Sequence, residues 1–444
     1  MPPPPEAKGA PLVGVLPSVL SRGLEAVIRE QHKELGSVFT LRWFGLAVTF
    51  LVGPECSDHF FHAPESEIGI DGVYDVTVPI FGKGVGYDID LDTRNEQHRF
   101  FAKMLRPAKL RGHVPPMEYF GKWAESGVVD LKEEVDHLLM LIASRCLLGK
   151  EVRENMYDEV ASLFHDLMGG LHLISMFFPY LPTPGHRRRD RARDRLDEIF
   201  SRIVKARKVS GRVEDDMLQD LIDSRYGSDG RATTDTEITG LLVALLFAGH
   251  HTSSTVTVWT ALRLITQPDH LRAVMAEQER LILMDGGVNV DYGLLLQMDV
   301  LHRCIKEALR LHPVTQMVLR RARKGFTVRG KEGGEYSVPA GRLLASPLVV
   351  NGLLPDIYKD PHMFDPDRFA PGRAEDKAGG AGACSDLAYL SFGAGKHACM
   401  GEGYAYQQIK VILSHLLTTF ELKLETSSFP EPENMLSMRP KGKV

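Results

Sequence analysis

The spacing of hydrophobic and polar positions changes along the chain, and with it the kind of element each stretch predicts. Residues 37 to 53 hold two short apolar runs, Ser37-Val38-Phe39-Thr40-Leu41-Arg42 and Ala47-Val48-Thr49-Phe50-Leu51-Val52, which predict two short strands. From about Val129 to Leu311 the apolar residues recur at helical spacing. Residues 326 to 346 return to strands with turn residues between them, and Tyr404 to Phe420 is periodic again. Pro371 to Ser385 is rich in glycine and alanine and reads as a mobile surface loop. The pattern predicts a large helical body with a small strand-rich part, and it contains no internal repeat.

One predicted helix stands apart. Thr234-Asp235-Thr236-Glu237 forms a capping box. Behind it, Leu241-Leu242-Val243-Ala244-Leu245-Leu246-Phe247 is apolar nearly all round, as in a helix buried at the centre of a protein. That run meets Ala248-Gly249-His250-His251-Thr252-Ser253-Ser254. Buried polar side chains are costly without partners, and a mid-helix glycine costs about 1 kcal/mol relative to alanine. Such a local conflict marks a functional site. His250 and His251 are neighbours in sequence and point to different faces of a helix, so one shared metal is not expected.

Cys399 lies in Phe392-Gly393-Ala394-Gly395-Lys396-His397-Ala398-Cys399-Met400-Gly401. Gly393 and Gly395 let the backbone approach a large flat group. The helix start that follows, with Lys396 and His397, should favour a thiolate. A thiolate against a planar cofactor is how a haem iron receives a strongly donating axial ligand. Cys56, Cys146, Cys304 and Cys384 read as small buried hydrophobes.

The pattern Phe392-x-x-Gly395-x-His397-x-Cys399-x-Gly401 resembles the cytochrome P-450 family, the haem-thiolate monooxygenases. The resemblance implies a mainly α fold with small β sheets, a helical prism around a buried haem b. It makes Cys399 the iron ligand. Phe392, Gly393 and Gly401 shape the cofactor loop, and His397 and Arg320 become propionate ligands. Arg321 and Arg323 are expected to be solvated. Gly249 would admit dioxygen, with Thr252 and His251 delivering protons. Glu307, Arg310 and Arg368 are implied as a structural network bracing the thiolate side.

Composition excludes several alternatives. The net charge of -5 and the absence of a long basic stripe argue against a nucleic-acid partner. Five cysteines without close pairs argue against a disulfide framework or structural zinc. No run of about 18 apolar residues is present, so no membrane-spanning helix is expected. The proline-rich residues 1–12 read as a linker following a removed membrane anchor, with residues 13–444 as a single catalytic domain. The family resemblance also suggests trimming beyond Val444, and it places the native form on the cytosolic face of the endoplasmic reticulum membrane.

No glycine-rich dinucleotide or phosphate loop occurs; Gly82-Lys83-Gly84-Val85-Gly86 has the wrong spacing. Electrons must therefore come from a partner, which the resemblance identifies as NADPH–cytochrome P-450 reductase. Lys103, Arg106, Lys109, Arg111 and Lys396 are a candidate docking patch.

Within the family the chain is similar to the sterol 14α-demethylases of plants. The carriers are Val73-Tyr74, Val78-Pro79-Ile80-Phe81-Gly82, Tyr87-Asp88, Ala248 to Ser254 and Arg187-Arg188-Arg189-Asp190-Arg191-Ala192-Arg193, with Phe39-Thr40-Leu41 and Ala63-Pro64-Glu65-Ser66. That likeness implies propionate and pocket-wall roles for Tyr74 and Tyr87. It also implies an Asp190–His251 pair that passes protons inward, with most of the arginine run a solvated face. The implied substrate pocket holds Val76, Phe81, Ala248, His250, Thr315, Met317 and Met435.

The departures point elsewhere. Val76 stands where the plant demethylases carry Phe near C4 of the sterol. A methyl-sized difference in an apolar pocket is worth roughly 1–3 kcal/mol of discrimination. His250 replaces a Gln, and Thr315 and Gln316 add polarity. These changes suit hydroxylation or epoxidation of a pentacyclic, β-amyrin-type triterpene. Obtusifoliol-type 14α-demethylation, with loss of the methyl as formate, is the alternative. A haem-thiolate isomerase or a non-catalytic lipid- or haem-binding protein is more distant.

Overall fold

The computed structural model describes residues 1–43, 45–105, 119–171, 175–176, 178–284, 292–377, 385–425, 428–434 and 437–444. The strands are β1 Val38–Trp43, β2 Leu46–Leu51, β3 Ile68–Gly69, β4 Val318–Ala322, β5 Phe326–Arg329, β6 Glu335–Val338, β7 Leu343–Ser346, β8 Pro432–Asn434 and β9 Ser437–Pro440. The helices that carry the site residues are α1 Val78–Phe81, α2 Leu131–Cys146, α3 Tyr157–Met168, α4 Pro184–Ser210, α5 Asp235–Ile265, α6 Asp299–Leu311 and α7 Glu402–Thr419. The chain divides into two compact units, each gathered from separated stretches. Met1–Val73, Thr255–Glu402 and Leu416–Val444 form the first; Tyr74–Ser254 and Gly403–His415 form the second.

The first unit holds a five-stranded sheet in the order β1-β2-β7-β4-β3, with β2 and β7 parallel and the other pairs antiparallel. The expected strands over 37–53 are β1 and β2. Phe39 and Phe50 face one another in register, their rings stacked at 5.5 Å, a cross-strand aromatic pair of the kind that fixes register. The expected 326–346 strands are β5, β6 and β7. Strand β4 was not anticipated, because Arg320 and Arg321 interrupt its apolar run. The proline-rich start is extended and runs along β1: Thr40 N–H donates to Pro5 O (2.8 Å), Ala7 N–H donates to Thr40 O (3.0 Å), and Arg42 pairs with Glu6 at 2.8 Å. Of the expected 371–385 loop, residues 378–384 lie outside the described residues.

The second unit packs helices around Ile80, Phe81, Leu196, Phe200, Leu241, Leu242 and Leu246. Helix α4 exposes Arg187, Arg188 and Arg191, as expected for most of that run, but buries Arg189, Arg193 and, further along, Arg207 on its apolar stripe. Arg207 is compensated by Glu151 at 2.6 Å and Asp216 at 2.8 Å.

Helix α5 has 31 residues, about 46 Å at 1.5 Å per residue. By length and composition it would qualify to cross a bilayer, yet 56% of its most apolar window is buried inside the protein, as a core helix requires. The capping box forms at its start: Glu237 N–H donates to Thr234 Oγ1 (3.2 Å) and Thr234 N–H donates to a Glu237 oxygen (2.7 Å). Arg231 adds donors at 2.9 and 3.0 Å. Burial raises the Glu237 carboxyl, but the Arg231 and Thr234 hydrogen bonds outweigh it and hold the group below its ordinary value. A depressed carboxyl contributes stability above its unfolded-chain pKa, 4.5, and loses it as pH falls through the lower folded value. Glu237→Gln should therefore lower the thermal midpoint most near neutral pH. The gap to the unaltered protein should close in acid, and a gap constant across that range would refute the linkage.

Candidate functional site

In the first unit, the loop of Cys399 is fixed by its own backbone. Cys399 N–H donates to Phe392 O at 2.8 Å. Gly393 and Gly395 sit at φ +71° and +66°, and a Cβ on Gly395 would lie 2.1 Å from the Phe61 carbonyl oxygen, so only glycine fits that turn. Cys399 is exposed just ahead of α7, while Cys56, Cys146 and Cys304 are buried. Cys384 lies outside the described residues. A Cβ on Gly401 would lie in van der Waals contact with the Cys399 sulfur, at 3.8 Å.

The expected thiolate stabilisation is only partly present. Protein packed around the sulfur raises the thiol above its ordinary value, the Gly401 N–H opposes this, and Glu402 adds to the rise. Lys396 is exposed, and His397 Nε2 meets the Glu65 carboxylate at 2.9 Å. Glu65, buried, was not singled out from sequence. Arg320 is buried, donates to Leu319 O at 2.8 Å and lies 5.5 Å from the Phe60 ring centre; among the described residues no carboxylate pairs with it. Arg321 and Arg323 are not simply solvated: both bond Asp71, and Arg323 also donates to Glu65 O at 2.8 Å.

The residues read as a network are in contact, with side chains fully buried. Arg310 donates to both Glu307 oxygens at 2.7 and 2.8 Å, and Arg368 Nε donates to Glu307 at 3.0 Å. Backbone oxygens of Gly352, Pro361, Met363 and Lys359 and the Glu375 carboxylate, at 2.6 Å from Arg368, take the remaining donors. Helix α6, which carries Glu307 and Arg310, also holds the chain just before Phe392: Tyr389 Oη donates to Lys306 O at 3.1 Å and Ser391 Oγ to Leu309 O at 3.4 Å. Thr315 is exposed, and Met317 packs on the core that contains Phe39 and Phe50. Met435 lies outside the described residues, as do Arg106, Lys109 and Arg111; Lys103 is exposed.

In the second unit, α5 opens locally. Ala248 is exposed and residues 249–252 are half-buried, whereas Leu241, Leu242 and Ser253 are buried. A Cβ on Gly249 would meet nothing within 4 Å among the described residues. Thr252 Oγ1 donates to Ala248 O at 2.5 Å. His250 is not a free pocket wall: Nε2 meets the Asp136 carbonyl of α2 at 2.9 Å, and its ring abuts Phe164 of α3. His251 is half-buried. Asp190, expected to pair with His251, instead accepts from Arg189 Nε at 2.8 Å. The reason is electrostatic: Arg189 is 1% exposed, and a buried guanidinium takes the nearest carboxylate. Tyr74 and Tyr87 lie ring to ring at 4.8 Å. Val76 is half-buried in a 3-10 turn, Asp75–Thr77, and Phe81 meets the edge of Phe247 at 5.4 Å.

This donor set fits a haem. Within the first unit it offers one exposed thiol on a glycine turn and a buried guanidinium without a carboxylate among the described residues. The cytochrome P450 family profile matches residues 2–444. The chain is 51% identical to the obtusifoliol 14-alpha demethylase of Sorghum bicolor, covering 99% of this chain and 89% of the relative. It is 50% identical to the sterol 14-demethylase of Arabidopsis thaliana (98% and 88%) and 36% identical to the lanosterol 14-alpha demethylase of Bos taurus (91% and 79%). A retinoic acid-bound cyanobacterial CYP120A1 shares the fold at a TM-score of 0.82 and 24% identity, over 99% of this chain and 97% of that one. The chain belongs to the cytochrome P450 family, as a haem b-dependent monooxygenase of its plant sterol 14-demethylase branch.

Proposed function

We propose that the protein removes the 14α-methyl group of an obtusifoliol-type sterol. The observation that carries this reading is identity of 50–51% with plant obtusifoliol and sterol 14-demethylases over at least 98% of the chain. It reverses the preference drawn from Val76, His250 and Thr315. Of those departures, His250 is tied to α2 and α3, which weakens its claim as a substrate contact. Val76 alone keeps a β-amyrin-type triterpene as the second reading.

Bound haem supplies activated dioxygen for oxidation of an unreactive carbon. In this reading Cys399 provides the iron's thiolate, and Arg320, His397, Tyr74 and Tyr87 serve the propionates. The Thr252 hydroxyl proton is held by the Ala248 carbonyl, so its oxygen keeps acceptor capacity for a proton passed along the helix. His251 is the adjacent titratable group; Arg189 bonds Asp190 through Oδ1, and a carboxylate keeps acceptor sites for a further donor. Phe81 and Phe247 supply an apolar wall that excludes water. NADPH–cytochrome P450 reductase is the electron donor in this reading, at the endoplasmic reticulum membrane.

The test is turnover of the haem-loaded protein with reductase and NADPH on obtusifoliol and on β-amyrin separately. Formate release from obtusifoliol is the expected result. An oxidised product from β-amyrin alone would overturn the proposal and establish the second reading.

A further inference from the structure

We propose that Arg193 is a positioning residue that sets substrate selectivity by holding the backbone of Phe81 against α5; the proposal rests on the sterol-oxidising reading above. Arg193 is on the apolar stripe of α4 and is 8% exposed. Its Nη2 donates to the Phe81 carbonyl at 3.1 Å. Asp197 is 3.5 Å away, and among the described residues the buried Arg193 Nε has no acceptor. A buried guanidinium is costly unless bonded, so the Phe81 carbonyl is one of the few groups that satisfy it.

The same carbonyl is pinned from the other side. A Cβ on Gly240 of α5 would lie 2.4 Å from the Phe81 oxygen and 2.7 Å from Val85 Cγ2. Gly82, next in the chain, has φ +93°, and a Cβ there would lie 2.5 Å from Arg193 Nη2. Glycine at both positions lets the α5 backbone and the Arg193 guanidinium close on one oxygen. Gly240 and Phe247 are seven residues apart and share a helix face, so the contact that locks the Phe81 carbonyl also sets its ring against Phe247. Phe247 directly precedes the vacant strip at Ala248 and Gly249. A shift of Phe81 or of the Val76 turn just before α1 therefore reshapes the apolar wall.

The experiment uses the haem-loaded full chain. Arg193→Lys keeps the charge but shortens the reach, and Gly240→Ala pushes the carbonyl from the opposite side. In both variants, amide hydrogen exchange over residues 76–86 should accelerate about tenfold. The spectral dissociation constant for obtusifoliol should rise about tenfold, equivalent to about 1.4 kcal/mol. The value for lanosterol should change by a different factor, because the C4 region is what moves. The carbon monoxide spectrum of the thiolate-ligated haem should be retained. Unchanged exchange over 76–86, or equal weakening of both sterols, would overturn the proposal. If Arg193→Lys fails to load haem, Gly240→Ala decides by the same readings. If the unaltered enzyme binds neither sterol, the proposed function falls, and exchange over 76–86 still decides the role of Arg193.

Discussion

Glu307→Ala is expected to destabilise the first unit by about 3–5 kcal/mol, the cost of removing one member of a buried ion cluster. The geometry explains why the loss is not a single bond. Glu307 accepts from Arg310 twice, from Arg368 Nε, and from the Asp365 N–H at 2.9 Å. Glu375, at 2.6 Å from Arg368, is the other carboxylate in the cluster. Without Glu307, two buried guanidiniums share one anion, and carbonyls cannot replace the missing charge. Arg310 lies 4.9 Å and Arg368 5.9 Å from the Tyr358 ring centre, and Tyr358 Oη donates to Ala388 O at 2.9 Å. Strain in the cluster is thereby passed to residues 388–391 and the Cys399 loop beyond. Denaturant unfolding would measure the loss, with the yield of haem-loaded protein as a second reading. Glu307→Gln, which keeps an acceptor but no charge, should fall between. Glu30→Gln, at the exposed Arg22–Glu30 pair, should change little. Glu307→Ala within about 1 kcal/mol of the unaltered protein, the range of an ordinary substitution, would show that the cluster is not a source of stability.

What could be read from sequence was what is local. The capping box of α5 is four consecutive residues, and the Cys399 loop is one short run, so neither needs tertiary information. The pairing of Glu307 with Arg310 follows from their i, i+3 spacing; Arg368 joins only through the fold. Partner choice was harder. Whether Asp190 meets His251 or Arg189 depends on the rotation of α4, which a run of charges conceals. The stripe itself was visible: Arg189, Arg193, Leu196 and Phe200 are spaced by four, three and four residues, and all are buried. Reading arginine as solvated by default hid Arg193. Strand β4 was missed for the same reason, since Arg320 is buried beside Phe60 although it breaks the apolar alternation. Substrate preference is not legible in single positions: Val76, His250, Thr315 and Gln316 are few differences beside a likeness that extends over nearly the whole chain.

Cys399→Ser should abolish sterol turnover, with a loss of about a thousandfold or more, equivalent to about 4 kcal/mol on the barrier. The change is close to isosteric, so a collapse of the fold would not explain it. The Cys399 backbone is held by Phe392 O, and the turn is set by Gly393 and Gly395; neither depends on the sulfur. What is lost is the soft, electron-donating ligand that a serine oxygen does not replace. No other described cysteine can stand in. Burial pushes the Cys56 and Cys146 thiols up to about 12 and raises Cys304 further in the same direction, so each remains a protonated, inert thiol. The expected result is a carbon monoxide spectrum without the thiolate band, a thermal midpoint of the haem-free protein close to that of the unaltered chain, and no product from obtusifoliol or β-amyrin. Cys304→Ala should keep both the band and turnover. A thiolate band that persists in Cys399→Ser would assign the iron ligand to another sulfur and remove the basis for placing haem chemistry at this loop.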